Sequence, residues 1–181
     1  MLEVCGKNII LREFTEENLQ NPAYFNWIRD PYLMKMIRFE YLLPIAHQEI
    51  IQYVRTLIQS KTDGFFAVYT KETQEFIGTQ KIGHIDWRTG TADIGILIGH
   101  PAYRGKGLSY DIISTACNYA FSELGLRKLT AGTPASNVAM IKCFEKIGFV
   151  EEGTLRKNLL ISGEFVDHKV YGVFKNEFLH E

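Results

Sequence analysis

Apolar residues along the chain follow two spacings, which together predict a mixed series of strands and helices. Residues 8–14 alternate, with Ile9 and Leu11 against Ile10 and Arg12, as expected of a strand. Apolar positions in residues 47–58 recur every three or four residues and predict an amphipathic helix. The remaining predicted elements are strands at 65–69, 75–87 and 92–98, a helix at 108–124, a strand at 128–133, a helix at 137–147 and two strands within 149–174.

Proline and glycine positions predict where several of these elements end. Pro22 and Pro31 break the segment around Trp27 into short helical pieces, because proline is tolerated only in the first turn of a helix. Gly125 and Gly148 follow the two later helices as C-terminal caps. We therefore expect a chain in which strands and helices are mixed along the whole length.

Length and composition predict one globular domain spanning residues 1–181. The chain has 181 residues, of which 46% are hydrophobic, and a formal net charge of −1. This near-neutral charge lacks the basic excess typical of nucleic-acid or anionic-membrane binding. Three widely spaced cysteines predict neither a disulfide framework nor a zinc site. Charges near the N-terminus argue against a signal peptide, and a reducing cytoplasm is the expected location.

Residues 96–109 form an apolar strand, a glycine-rich turn and a helix start, a pattern typical of an anion-binding loop. The first backbone N–H groups of a helix have no intrahelical partner, so a pyrophosphate can accept several of them. Gly105 and Gly107 would let the backbone approach closely, and Arg104 and Lys106 would add mobile positive charge. A plain surface turn with two basic residues is an equally simple interpretation of this segment alone.

Two familiar phosphate-binding motifs do not fit this loop. Walker A requires serine or threonine after its lysine, whereas Lys106 is followed by Gly107. The dinucleotide fingerprint requires a third glycine where this chain has Tyr110.

Arg104-x-x-Gly107-x-Ser109 resembles the R/Q-x-x-G-x-G/A signature of the GCN5-related N-acetyltransferases (GNATs), with serine as the last residue. Further segments resemble the RimJ/RimL type of that family, from the front of the chain to its tail. They are residues 11–15, 27–31, 77–78, 137–149 and 152–156, with Gly163, Asp167 and residues 171–172.

The resemblance implies an α+β fold with a three-layer arrangement, in which a mixed, mostly antiparallel and splayed sheet is flanked by about four helices. Acetyl-CoA, the acetyl donor, would lie between the strand ending at Ile98 and the strand ending near Thr133, and an N–H near Ile98 would polarise the thioester carbonyl. No metal is implied. The expected cofactor-binding residues are Leu97, Ile98, Gly99, Arg104, Gly105, Lys106, Gly107, Leu108, Ser109, Asn137, Phe144 and Lys146.

Two of these expected contacts, Asn137 and Lys146, have plain structural alternatives, and a third, Phe144, lacks the usual proton donor. Asn137 is equally suited to cap the helix that it opens. Lys142 and Lys146 lie one turn apart and are more simply a solvated helix face than ligands of the cofactor's 3′-phosphate. Phe144 and Met140 occupy the positions where the family often has tyrosine and serine as proton donors, so neither can donate a proton.

For the general base, Asp93 is the first choice and His84 the second. Asp93 stands where the RimJ/RimL type often has glutamate, although an ordinary salt bridge at a strand end is as good an explanation. His84 has a suitable ordinary pKa, yet a single histidine on a strand face is more often structural.

The acceptor site is expected between residues 27 and 53, where Arg29, Arg38 and Glu40 are the candidate binding residues. The leading hypothesis is an N-acetyltransferase that transfers acetyl directly to a primary amine: a protein N-terminus, a nucleotide amino sugar, a polyamine or an antibiotic. A non-catalytic acetyl-CoA-binding module and a nucleotide-binding protein unrelated to coenzyme A are the alternatives. A homodimer remains open, and neither nucleic acid nor membrane is an expected partner.

Overall fold

The computed structural model describes residues 2–37 and 46–179. Within them, eight strands form one sheet in the order β1-β2-β3-β4-β5-β6-β8-β7. All neighbours are antiparallel except β5 and β6, which are parallel. The strands are β1 Glu3–Cys5, β2 Ile9–Glu13, β3 Gly64–Thr70, β4 Phe76–Asp86, β5 Thr91–Ile98, β6 Lys128–Pro134, β7 Val150–Ile161 and β8 Glu164–Phe174.

Six α-helices and one short 3₁₀ helix, at Pro101–Tyr103, accompany the sheet in the described residues. The number exceeds the expected four because prolines divide the early segment into three short helices. Asn21 and Asp30 cap two of these, and a proline follows each cap at the first helical position. The helices are α1 Glu16–Gln20, α2 Pro22–Arg29, α3 Pro31–Met34, α4 His47–Gln59, α5 Leu108–Ser122 and α6 Val138–Ile147.

Two hydrophobic clusters, one on each side of the sheet, hold these layers together. Strand alternation sends Phe66 and Val68 of β3 to one side, where α5 and α6 pack, and Ala67 to the other, where α1, α2 and α4 pack. We call these sides the α5 face and the α2 face. On β5, Ala92 and Ile94 lie on the α5 face, whereas Leu97 lies on the α2 face. The mixed α+β architecture expected from the sequence is confirmed.

Candidate active site

Strands β5 and β6 pair over only three residues and then separate. The parallel ladder joins Thr91 to Lys128, Ala92 to Leu129 and Asp93 to Thr130. Past Asp93, the ladder between these strands ends, although each strand continues for several residues. On this side β5 therefore has backbone groups without a neighbouring strand, and such groups can bind an extended ligand.

A cleft of about 980 Å³ occupies this gap and passes through the sheet. Its walls include Ile96 and Ile98 from the α5 face and Asp93 and Gly95 from the α2 face. Residues of the loop before α5, of α6 and of α3 with its following turn complete the lining. Two reactants can thus meet in the gap from opposite sides of the sheet.

The loop before α5 has the geometry of an anion cradle. Gly107 caps α5 in the left-handed region with φ of 77°, and Gly105 has φ of 70°. A Cβ on either residue would meet no protein atom within 4 Å, so the space above both glycines is open. Leu108 and Ser109, in the first turn of α5, line the same cleft. Exposed N–H groups, the positive helix end and the open glycines fit the pyrophosphate of acetyl-CoA.

The two basic residues of this loop, Arg104 and Lys106, do not act as the pair of mobile charges that the sequence suggested. Arg104 folds back onto the end of β5, where its Nε donates to the Ile98 carbonyl at 3.3 Å and its Nη2 donates to the Gly99 carbonyl. Its Nη1 also lies 3.9 Å from the Asp30 carboxylate. Arg104 therefore ties the strand end to the helix cap instead of adding mobile charge. Lys106 is exposed and lies outside the cleft lining.

Leu97 and Gly99 do not line the cleft. Strand alternation directs the Leu97 side chain, and would direct a side chain on Gly99, toward the α2 face. Leu97 is buried in the cluster on that face. A Cβ on Gly99 would overlap the Trp27 indole. The Gly99 N–H donates to the Ile77 carbonyl at 3.0 Å, so it is not available to a thioester.

Helix α6 contributes one side of the cofactor half of the cleft. Asn137 caps the helix by accepting from the Met140 N–H at 3.3 Å, which confirms its structural role and leaves its amide NH₂ for a ligand. Lys142 and Lys146 both line the cleft, and Lys146 Nζ lies 4.2 Å from the centroid of the Tyr110 ring.

Two further α6 residues limit the chemistry available in the cleft. Phe144 is buried and packs against Phe149 and Tyr171, with centroids 5.2 and 5.5 Å away, so it forms an apolar wall. Cys143 also lines the cleft, and burial raises the pKa of its thiol to about 11. Near neutral pH this cysteine is a thiol rather than a nucleophilic thiolate.

Asp93 lies at the point where β5 and β6 separate. Burial among protein atoms raises the pKa of its carboxyl group, while His84, a hydrogen bond from Thr130 and Lys81 oppose that rise. Thr130 Oγ1 lies 3.4 Å from Asp93 Oδ2. The structure therefore places the first-choice base in the cleft, with a pKa shifted toward that of a proton acceptor.

His84 and the predicted acceptor residues have different positions. His84 is exposed, lies outside the cleft lining and donates its backbone N–H to Asp63 Oδ1 at 3.2 Å. Arg29 lines a second cavity of about 440 Å³, beside Glu16 and Arg55, and not the cleft. Arg38 and Glu40 lie outside the described residues. The acceptor half is instead lined by residues 32, 33 and 35–37.

His168 is a cleft residue that the sequence reasoning missed. It is half-buried on β8 and lines the gap, and its Nε2 occupies the space that a Cβ on Gly132 would need. Burial lowers the pKa of its imidazole. Its neighbour Asp167 belongs to the tail segment that resembles the family. This position next to a motif residue was the one sign in the sequence that pointed to His168.

In the described ranges, no group of three or more His, Cys, Asp or Glu side chains could hold a metal ion. The same residues include no helix that is both long and apolar enough to cross a membrane.

The family comparison agrees with this geometry. The model of the acetyltransferase (GNAT) domain matches residues 8–150. The chain is 30% identical to a probable N-acetyltransferase, YjcK, of Bacillus subtilis over 179 residues, which covers 93% of this chain and 94% of that protein. It is 29% identical to a spermidine N(1)-acetyltransferase of Vibrio cholerae over 107 residues, 59% of this chain and 61% of that protein.

A solved structure shows the same fold. The spermidine N-acetyltransferase of Vibrio cholerae, in complex with CoA and spermine, superposes with a TM-score of 0.84 and 24% identity, covering 96% of this chain and 99% of that one. The chain therefore belongs to the GNAT acetyltransferase family. It is an N-acetyltransferase whose acetyl donor is acetyl-CoA.

Proposed function

We propose that this enzyme acetylates a primary amine of a small molecule, as one domain over residues 1–181, by direct attack of the amine on the bound thioester. The observation that carries the proposal is the cleft through the sheet between β5 and β6. Its α5-face half has the anion cradle, and its α2-face half has a carboxylate. An amine can therefore reach the acetyl group without displacing the donor.

The donor half would be held by the open loop and by α6. N–H groups of Leu108 and Ser109, reached across Gly105 and Gly107, would bind the pyrophosphate. The Asn137 amide would bind the pantetheine part, and Lys146 lies in reach of the cleft. Acetyl-CoA supplies the activated acetyl thioester.

Asp93 supports the acceptor half of the proposal. An ionised carboxylate at the point where the strands separate attracts an ammonium group and holds it in the gap. His84, the second choice in the sequence, lies outside the cleft lining, so Asp93 is the one of the two that we place beside the amine. Cys143 stays a protonated thiol, which favours direct transfer over an acetyl-cysteine intermediate.

The acceptor could still be one of several amines. The relatives named for spermidine acetylation favour a small molecule. The RimJ/RimL likeness, which would favour a protein N-terminus, is not supported by the relatives and structures named above. Asp93 supplies a carboxylate to the cleft lining, and its charge suits an ammonium at the reaction centre. We therefore propose a small amine with one ammonium at the reaction centre.

The non-catalytic acetyl-CoA-binding module that the sequence left open is set aside, because the chain is an N-acetyltransferase of the GNAT family. Phe144 and Met140 line the cleft at the positions of the usual proton donors, so neither position supplies a donor.

A thiol-release assay tests the proposal and identifies the acceptor. Purified protein and acetyl-CoA would be mixed with spermidine, an aminoglycoside, a nucleotide amino sugar or a peptide with a free N-terminal amine. We expect thiol release with at least one small amine, above the rate without amine, together with the acetylated product by mass spectrometry. CoA binding without amine-dependent release for any of the small amines would overturn the proposal of a small-molecule acceptor.

Two finer points complete the proposal. We place the enzyme in the cytoplasm because Cys5, Cys117 and Cys143 are free thiols. A homodimer is retained as an option, which sedimentation velocity would test.

A further inference from the structure

His168 shares a face of the sheet with Asp93. Leu129 and Ala131 of β6 belong to the α5-face cluster, so Thr130 and Gly132 between them face the other way. On β8, Tyr171 also lies on the α5 face, and His168 therefore lies on the α2 face. Asp93 pairs with Thr130 and faces that same side. The two titratable side chains thus border one basin, on the acceptor side of the sheet.

The distance along β6 sets the width of this basin. His168 Nε2 lies over Gly132, two residues beyond Thr130, which pairs with Asp93. Two residues of a strand span about 7 Å. Gly95 and Gly132 form the floor, and neither has a side chain to fill the space. An ammonium group fits between the carboxylate on one side and the imidazole on the other.

The imidazole is available for this role. Among residues 2–37 and 46–179, no side chain or backbone group forms a hydrogen bond or ion pair with it. Its neighbours on β8 are engaged elsewhere: Asp167 accepts from the Lys157 N–H at 2.8 Å, and Lys169 Nζ lies 2.7 Å from Glu151. Leu155 and Pro134, its partners on β7 and β6, carry no charge.

We propose that His168 takes the proton from the acceptor ammonium, on the side of the cleft opposite Asp93. This step rests on the proposed function above and deepens it. The N–H bond of the ammonium breaks, its electron pair remains on nitrogen for attack, and the proton passes to Nε2, which becomes imidazolium. Water in the open cleft then takes the proton from the imidazolium. Asp93 holds the ammonium by its charge while this transfer occurs.

Burial supports this assignment, because it lowers the pKa of His168 and so keeps the imidazole neutral near pH 7. Other titratable groups line the same cleft: Asp93 from β5, Tyr32 and Lys35 from α3 and its end, Arg104 from the loop, Tyr110 from α5, and Lys142, Cys143 and Lys146 from α6.

The pH profile of kcat/KM for the best amine of the panel tests the proposal. With neutral His168, the parent enzyme takes up the protonated amine, so the profile is flat from about pH 7 to 9. His168→Gln must take up the rare unprotonated amine, so its kcat/KM falls about 10²-fold at pH 7 and rises about tenfold per pH unit. Loss of packing alone would lower the curve at every pH without changing its shape.

Two further variants and a spectroscopic measurement complete the experiment. Gly132→Ala keeps the histidine but pushes its ring away, and should give the same rising profile. His47→Gln, an exposed histidine outside the cleft, should keep the flat profile. The His168 imidazole resonance, assigned by its loss in His168→Gln, should titrate below 6.5 and shift when the amine is added.

The outcomes separate this proposal from the one it rests on. No thiol release by the parent with any amine overturns the proposed function. An active parent together with a flat profile for His168→Gln overturns only the assignment of His168.

Discussion

Replacing Gly107 by alanine tests the anion cradle, because this residue combines a left-handed backbone with open space above it. Its φ is 77°, and a Cβ would project into that space without touching the protein. Gly125 offers a matched control, since it has φ of 66°, equally open surroundings and a position outside the cleft lining. Both substitutions therefore impose the same backbone strain, but only one obstructs a ligand.

The expected magnitudes differ for stability and for binding. Left-handed backbone costs an L-residue about 1–2 kcal/mol, which lowers Tm by about 2–8 °C in a domain of this size, for either variant. Loss of one hydrogen bond to a charged pyrophosphate costs about 1.5–3 kcal/mol, or roughly a 10- to 150-fold rise in the Kd for CoA. We expect that rise for Gly107→Ala and an unchanged Kd for Gly125→Ala.

Calorimetric titration of CoA into each folded variant gives the Kd, and thermal unfolding gives the Tm. A Kd for Gly107→Ala within twofold of that for Gly125→Ala would refute the placement of the pyrophosphate at the start of α5. Valine is a poorer choice at this position, because a branched side chain adds further strain at positive φ.

Three other substitutions test the chemistry of the cleft and the stability of the fold. Asp93→Asn should lower kcat/KM for the amine about 10²-fold and leave the Kd for acetyl-CoA unchanged; a change within threefold would contradict its role. Cys143→Ala should keep kcat within a few-fold of the parent, and a complete loss with a burst of enzyme acetylation in the parent would point to a covalent route. Burial raises the pKa of Asp63, but hydrogen bonds from Ser60, Lys81 and the His84 N–H outweigh it, so the pKa lies below its ordinary 3.8. Asp63→Asn should therefore cost about 1–3 kcal/mol in urea unfolding at pH 7, and this difference should vanish as the pH falls through the folded pKa.

The sequence predicted elements whose apolar spacing is long and regular. Strands β2 to β8 and helices α4 to α6 lie where alternation or helical spacing placed them, within a few residues. β1 was missed because three residues at the sheet edge are too few to show a period. The loop at residues 105–109 was also predictable, because its glycines and the following helix are local in sequence.

The other half of the site depends on contacts between distant segments. His168 reaches the cleft only because β8 lies beside β6, an order that no local pattern reveals. Arg104 lines the cleft as expected, but the sequence did not show that Asp30 and the carbonyls at the end of β5 would hold its guanidinium. Leu97 and Gly99 lie in the segment expected to bind the cofactor. Which side of the sheet each of them faces, however, depends on the alternation of residues along the strand as it is paired in the folded sheet.

Two contacts join the end of α2 to the strand that carries the cofactor loop: Trp27 packs against Gly99, and Asp30 lies beside Arg104. For protein engineering, these two contacts mark the boundary between the segment after Asp30, which can be exchanged, and the rest of the fold, which must be kept. Acceptor preference can be redesigned at residues 32, 33 and 35–37, which line the acceptor half of the cleft, while donor binding is retained. A graft that begins before Asp30 would remove the junction and disturb both substrates at once.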